Sequence, residues 1–480
     1  MVAVTAAVLL FTVGKMFAIT MASPLFGYSN HFDFIRVESC MGLWQDYGAG
    51  SDKTAPHLAG PVNRLVLDRD VRMDLCIVSL DDLFPFVVTR LHPHGGHVDF
   101  RQISGLRVVA TLAALWALLV AARSRGRSLV IAGLFTAMFG EIGYLAYFNT
   151  LYNEFTILLG AFVCTASLWL LGTSAAKPPR RLLVLMVAGL LMLGLAKQQY
   201  SGLATAFGLC AALVVAKRWN ARRAAATFAL VGLLCPLLFA ILNPSDYGLQ
   251  GAIKMANITD TFLGAVLPAA KDPASALATL HLPASCANGI GKDWYTPGLQ
   301  QNHPCPALGR ATRARLIPLF VSQPSTFFGP VARAIDLARP FPDPGYGMFE
   351  DPASSSDIRY RLAVATSFAT YANALPQPAF RWLMSVAMIA GVLASFWYCA
   401  KLLTGRTDRV GVDLLLAVGG ITVFYAIGSS VFGDGVFDMT RHASLWSFGL
   451  ATQVLAILVW MAAAALRAGR GKPGTSAGLD

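Results

Sequence analysis

Apolar residues along this chain gather in long runs separated by short polar breaks, at about 3–23, 106–122, 128–148, 155–173, 182–196, 201–216, 224–242, 381–400, 411–431 and 443–466. In a bilayer such runs must be helices, because backbone N–H and C=O groups there find no water to bond. The pattern predicts ten spans and an all-α polytopic membrane protein. The stretch 182–216 is apolar except for Lys197, Gln198 and Gln199 in its middle. One helix of that length would outrun the hydrocarbon core by about 20 Å, so these three are expected to form a turn between two short arms. Lys197 is then expected to sit recessed at the outer membrane boundary, where an anionic lipid headgroup can neutralise it.

Composition agrees with the pattern: 55% of the 480 residues are hydrophobic and only 13% charged, more apolar surface than a soluble domain needs to bury. The net charge of +12 would suit nucleic acid were it not concentrated in short connections between apolar runs. These hold Arg123, Arg125 and Arg127; Lys177, Arg180 and Arg181; Lys217, Arg218, Arg222 and Arg223; Lys401, Arg406 and Arg409; and Arg467, Arg470 and Lys472. The intervening connections near 149–153, 198–200 and 432–442 are nearly free of Lys and Arg. Basic loops mark the cytoplasmic side, so the alternation is a topology signal: both termini in the cytoplasm and no nucleic-acid partner. The first run lacks a basic n-region and a clear cleavage site, and is read as a retained helix. Lys15 within it must face the bundle interior or snorkel.

That topology places two long segments, 24–105 and 243–380, on the outer side, dividing the chain into an N-terminal transmembrane region (1–242), a periplasmic cap (243–380) and a C-terminal transmembrane region with a tail (381–480). The first outer segment is expected to form one or two amphipathic surface helices, with Pro85 breaking the pattern. The second is too long for a structureless loop, and has helical stretches near 273–281 and 308–339. Cys40 and Cys76 fall in the first outer segment and Cys286 and Cys305 in the second, whereas Cys164, Cys210, Cys235 and Cys399 lie in spans. Two per segment suggests the disulfides Cys40–Cys76 and Cys286–Cys305, with free thiols or cross-pairing as the alternatives.

Candidate chemistry lies at the outer ends of the spans. Asp33 follows the first run by about ten residues and is the leading candidate general base; the plainer reading is a loop carboxylate paired with Arg36. Glu154 begins the fourth run, where it can act or merely favour the helix dipole. Glu141, inside an apolar run, calls for a specific partner. The loop "FGDGVFDMTRHASLW" brings Asp434, Asp438, Arg441 and His442 to the start of the last span, and Arg441 and His442 can hold a phosphate unless Asp438 and Arg441 simply pair. Trp294 and Tyr295 in "GKDWYTPG" can stack on a sugar or pack within the cap. His92, His94 and His97 in "HPHGGH" read as a glycine-containing turn rather than a metal site.

An Asp directly after the first span, an acidic residue in the "NxxYxE" context of 149–154, outer-face cations and a "DG…RH" loop before the last span together resemble the GT-C superfamily of polyprenyl-phosphate-dependent glycosyltransferases, especially bacterial glycan hexosyltransferases. The resemblance spreads over most of the chain in short motifs. It implies a GT-C-like fold in a bacterial inner membrane. It also implies inverting transfer, at the periplasmic face, from a polyprenyl-phosphate sugar donor to a glycan or glycolipid acceptor, with Asp33 as base and Glu154 as the second-loop acid. Asn153–Glu154 replaces the Asp–Glu pair of some relatives, which leaves dependence on a divalent metal open. No Walker-type loop or dinucleotide fingerprint is present, in keeping with a lipid-linked donor. A lipid-linked glycan transporter would instead carry paired repeats and broken midplane helices, and a glycan polymerase or ligase is a further alternative that also uses outer-face Arg and His.

Overall fold

The computed structural model describes residues 2–470 except 49, 56, 58–59, 69, 175–177, 245–247 and 406–409. Lys177, Arg406, Arg409 and Lys472, the tail beyond 470 and the side chains of Arg467 and Arg470 lie outside the described residues. Every apolar run is helical, and the chain is an all-α polytopic membrane protein. Among the described residues eight helices are long and apolar enough to cross a membrane: Val2–Thr20, Phe100–Ala122, Glu154–Thr173, Gln198–Trp219, Arg222–Leu242, Gln377–Leu403, Gly411–Gly433 and Leu445–Leu466.

Two of the ten expected spans differ from expectation. The run 128–148 is a broken pair, Arg125–Phe139 and Ile142–Asn149, bent by 70°. Lys15 explains how the break is tolerated: its Nζ donates to Gly140 O (2.5 Å), Thr366 Oγ1 (3.0 Å) and Ser367 Oγ (3.1 Å). The Gly140 carbonyl at the bend is thus met by a cation facing the interior. Glu141, at the bend, accepts the Ala369 N–H (2.9 Å). The second difference lies in the two arms about Lys197: Gln198–Trp219 has 22 residues and is not short, whereas Arg180–Ala196, with 17 residues or about 25 Å of helix, is short as expected. It ends at Lys197, whose extended backbone (φ −153°, ψ 136°) makes the expected turn before Gln198–Trp219.

The Glu154–Thr173 helix is buried along its whole length. Around it the spans approach closely where side chains are small: a Cβ on Gly391 would lie 2.2 Å from Gly420 Cα, so these two helices meet backbone to backbone. At one end of the bundle, basic residues bond the last carbonyls of neighbouring helices. Arg127 reaches Thr173 O (2.7 Å), Arg181 reaches Val120 O (3.0 Å) and Arg218 reaches Ser174 O (3.1 Å), completing bonds those helix ends lack.

The first outer segment is not simply a pair of surface helices. It contains a three-stranded antiparallel sheet, Leu43–Gln45, Arg64–Leu67 and His97–Asp99, with Leu43 opposite Leu67 and Val66 opposite His97. Strands this short carry too little alternation to read. Pro85 does not break a helix; it sits in the first turn of Leu83–Thr89, where no intrahelical N–H bond is lost. His92 contacts Gln102 (2.6 Å) and His97 contacts Arg64 (2.8 Å), flanking a turn in which Gly95 has φ +77°. Cys40–Cys76 and Cys286–Cys305 are the disulfides. In the second outer segment Ile258, Phe262, Leu277, Leu308 and Leu319 build a separate small core, whereas Ala334, Ile335 and Phe341 join the main one. The helical stretch expected over 308–339 is broken into Leu316–Ser322 and Ser325–Leu337 at Gln323–Pro324, where proline disfavours a helical residue before it. Arg313 docks the small core by donating to the carbonyls of Phe432 (2.8 Å) and Gly433.

Candidate active site

A cavity of about 1070 Å³ lies where the outer segments meet the spans, and Asp33, Glu154, Lys197, Trp294, Tyr295, Arg441 and His442 all line it. Glu141 is not among its lining residues. The loop before Ile35–Met41 presents Asp33, and Phe32 beside it has φ +78°, a value bulky residues rarely adopt. Asp438, in the loop presenting Arg441, is also left-handed, at φ +55°. Backbone held in such conformations concentrates at working sites.

Both oxygens of Asp33 are taken by guanidinium groups, Oδ1 by Arg36 (2.7 Å) and Oδ2 by Arg441. The local pairing legible from spacing therefore exists, but so does one between residues at opposite ends of the chain. Burial alone would raise the Asp33 carboxyl; Arg36, Arg441 and Lys197 outweigh it and hold the group far below the usual carboxylate range. Arg441 also meets Asp438 (2.6 Å) and lies over the Tyr152 ring, 4.7 Å from its centroid. His442 Nδ1 is 2.6 Å from Asp434 Oδ2. Burial and Lys197 push the imidazole pKa down, yet Asp434 and Asp438 raise it overall, while Asp434 itself is lowered to about 2.

Lys197 pairs with Glu154 at 3.0 Å. Its turn also supports the opposite loop, since Gln199 Nε2 (3.1 Å) and Tyr200 OH (2.6 Å) both donate to the His442 carbonyl. Glu154 is set by a buried pair missed in the sequence. Arg107 and Asp81, 0% and 1% exposed, form an ion pair. Asp81 Oδ1 accepts Thr156 N–H (2.9 Å) in the first turn of the Glu154 helix, and Arg107 donates to the carbonyls of Tyr147 (3.1 Å), Phe148 (3.0 Å) and Thr150 (2.6 Å). An Arg seven residues into an apolar helix was the available signal.

Tyr295 stacks on Phe437 with ring centroids 4.3 Å apart, yet is 55% exposed, so part of its ring is open to the cavity. Asp260 and Arg313, which also line the cavity, were not singled out from the sequence. Among the described residues no cluster of three or more His, Cys, Asp or Glu side chains is arranged to hold a metal ion.

As a whole the cavity mixes five carboxylates, Asp33, Glu154, Asp260, Asp434 and Asp438, with the cations Arg36, Lys197, Arg313, Arg441 and His442, so it can take up an anion and a proton close together. No curated protein and no solved structure matches the chain. The family profile of the YfdI N-terminal transmembrane domain matches residues 101–476, taking in every span after the first and the "DG…RH" loop. The chain belongs to the YfdI N-terminal transmembrane domain family and is a multi-pass membrane protein.

Proposed function

We propose that this chain is an inverting glycosyltransferase that moves a sugar from a polyprenyl-phosphate donor to a glycan or glycolipid acceptor at the outer face of a bacterial inner membrane. The observation that carries the reading is the double character of the cavity: Asp33, Lys197, Arg441 and His442 line it together with the apolar Met388, Phe424, Ile427 and Phe432 from the spans. A lipid phosphate has the same division between charged head and apolar tail. Membership of the YfdI family is in keeping with this role.

In this reaction the acceptor hydroxyl oxygen attacks C1 of the donor sugar, its proton passes to Asp33, and the C1–O bond to phosphate breaks on the opposite face. The leaving polyprenyl phosphate keeps the bonding electrons, and Arg441, cationic His442 and Lys197 meet the charge that develops. In the ligand-free arrangement Asp33 is a weak base, because two guanidinium groups occupy it. A donor phosphate competes for Arg441, and surrender of that contact restores basicity to Asp33 when substrate is present. Glu154 holds Lys197 at the same edge. Trp294 and Tyr295 offer ring faces to a sugar. The transporter alternative asks for a broken helix at the binding site. A break does exist at Gly140–Glu141, but Lys15 and Ser367 fill it and Glu141 does not line the cavity.

The test is transfer of radiolabelled sugar in membranes supplied with a polyprenyl-phosphate sugar. Asp33→Asn keeps the shape but not the proton acceptor, and should insert and bind donor normally while losing roughly two to four orders of magnitude in transfer. Near-normal turnover at matched expression would sink the assignment of Asp33.

A further inference from the structure

The cavity extends beyond the charged cluster toward the small outer core, and the side chains there have a different chemistry. Asp260, Asn257 and Gln300 line it there with Trp294 and Tyr295, and Arg313, the cation this segment adds to the lining, is engaged with the carbonyls of Phe432 and Gly433. Asp260 is only 4% exposed; its Oδ1 accepts the Trp294 N–H at 2.5 Å, and among the described residues no protein donor bonds its Oδ2. Burial, then the neighbouring Asp293 and Asp434, push its carboxyl up to about 7. A carboxyl kept at that disadvantage needs a reason beyond holding one N–H, which an asparagine would hold at lower cost.

Local backbone adds a second observation. Asp260 opens a π-helical stretch, Asp260–Val266, a widened turn uncommon in proteins and frequent at working sites. Gly435, at φ +79°, lies so close that a Cβ there would come 2.6 Å from the Asp260 carbonyl carbon. The loop carrying Asp434 and Arg441 is therefore seated directly against Asp260. Tyr295 lies within the electrostatic influence of both Asp33 and Asp260.

We infer that this end is a saccharide subsite, in which Asp260, Asn257 and Gln300 bond the hydroxyls of the acceptor glycan and Tyr295 carries a sugar ring. A carboxyl and two carboxamides offer donors and acceptors together, as neighbouring sugar hydroxyls require, and a half-exposed aromatic face suits the apolar side of a pyranose. The occupant is the acceptor rather than the donor because the cations and the apolar wall take the lipid phosphate, while the attacking hydroxyl must reach Asp33 from the side Tyr295 occupies. The inference rests on the glycosyl-transfer reading, and two probes separate them.

Binding of defined di- and tetrasaccharides of glucose, galactose, N-acetylglucosamine, mannose and rhamnose to the full chain in detergent is measured by saturation-transfer NMR, and binding of C55 polyprenyl phosphate by native mass spectrometry. At least one saccharide should bind, about tenfold more weakly to Asp260→Ala and Tyr295→Ala, with Asp260→Asn also weakened and Arg441→Ala unchanged. The lipid should show the reverse dependence, lost in Arg441→Ala and kept in Asp260→Ala. If Asp260→Ala loses both probes it has disrupted the cap, and Tyr295→Ala and Gln300→Ala then decide. Saccharide binding that none of these substitutions weakens, or no saccharide binding by the parent chain, overturns the subsite. Failure of the parent chain to bind the lipid would count against the donor assignment instead.

Discussion

Arg441 does at the residue scale what no local pattern announces: it joins Asp33, 408 positions away in sequence, to Asp438 in its own loop. Spacing made the Asp33–Arg36 and Asp438–Arg441 pairs legible, because i,i+3 partners can be read from a string. The Asp33–Arg441 and Glu154–Lys197 pairs depend on how helices pack, and only their residue types stood out beforehand. His442 yields a pH prediction. Its folded pKa is raised, so its charge, and the stability its pairing adds, are fully present below the unfolded value and are lost as pH rises through the folded one. Asp434 works in the opposite sense, contributing above its unfolded pKa and losing that contribution as pH falls toward about 2. If cationic His442 meets the leaving phosphate, Asp434→Asn should move the alkaline limb of the transfer rate to lower pH by about one unit. A limb that stays in place in the pH–rate profile would remove His442 from that role.

Helices were the most legible elements, since hydropathy alone locates each apolar run, and the Lys197 turn followed from length. The bend at Gly140–Glu141 was hidden because the sequence is apolar on both sides; the partners that permit it, Lys15 and Ser367, come from distant segments. The outer sheet was equally hidden, its strands being three or four residues long. The Arg107–Asp81 pair joins an outer turn to the start of the Glu154 helix, and its removal should be felt through charge left behind. Arg107→Met leaves the buried Asp81 charge without its cation and is expected to cost about 3–5 kcal/mol, whereas Arg107→Met with Asp81→Asn should recover much of that loss. Thermal unfolding of the purified variants in one detergent checks both values, and equal melting of the single and double variants would mean that the pair is not coupled.

Across the whole molecule, basic connections and the cavity's outer segments alternate along the chain, and Arg127, Arg181 and Arg218 come together on neighbouring helix ends. Both termini are then expected in the cytoplasm with 243–380 outside. Reporter fusions at Ser355 should behave as periplasmic; cytoplasmic behaviour reverses the orientation and with it the face at which transfer is proposed. The Cys286–Cys305 bond belongs to the same prediction. It closes a sequence separation of 19 residues, contributing about 3 kcal/mol in the chain-entropy account, and both thiols should resist alkylation in native membranes until a reductant is added.

The Glu154–Thr173 helix is walled in by protein along its whole length. Helices at the rim can exchange one aliphatic residue for another on their outward sides with little consequence, because lipid tails conform to whatever they meet. This helix has no outward side. Its residues are constrained by the shapes of their neighbours rather than by oiliness alone, so a library that shuffles apolar residues across the chain should lose members here first, as a continuous intolerant column beneath Glu154.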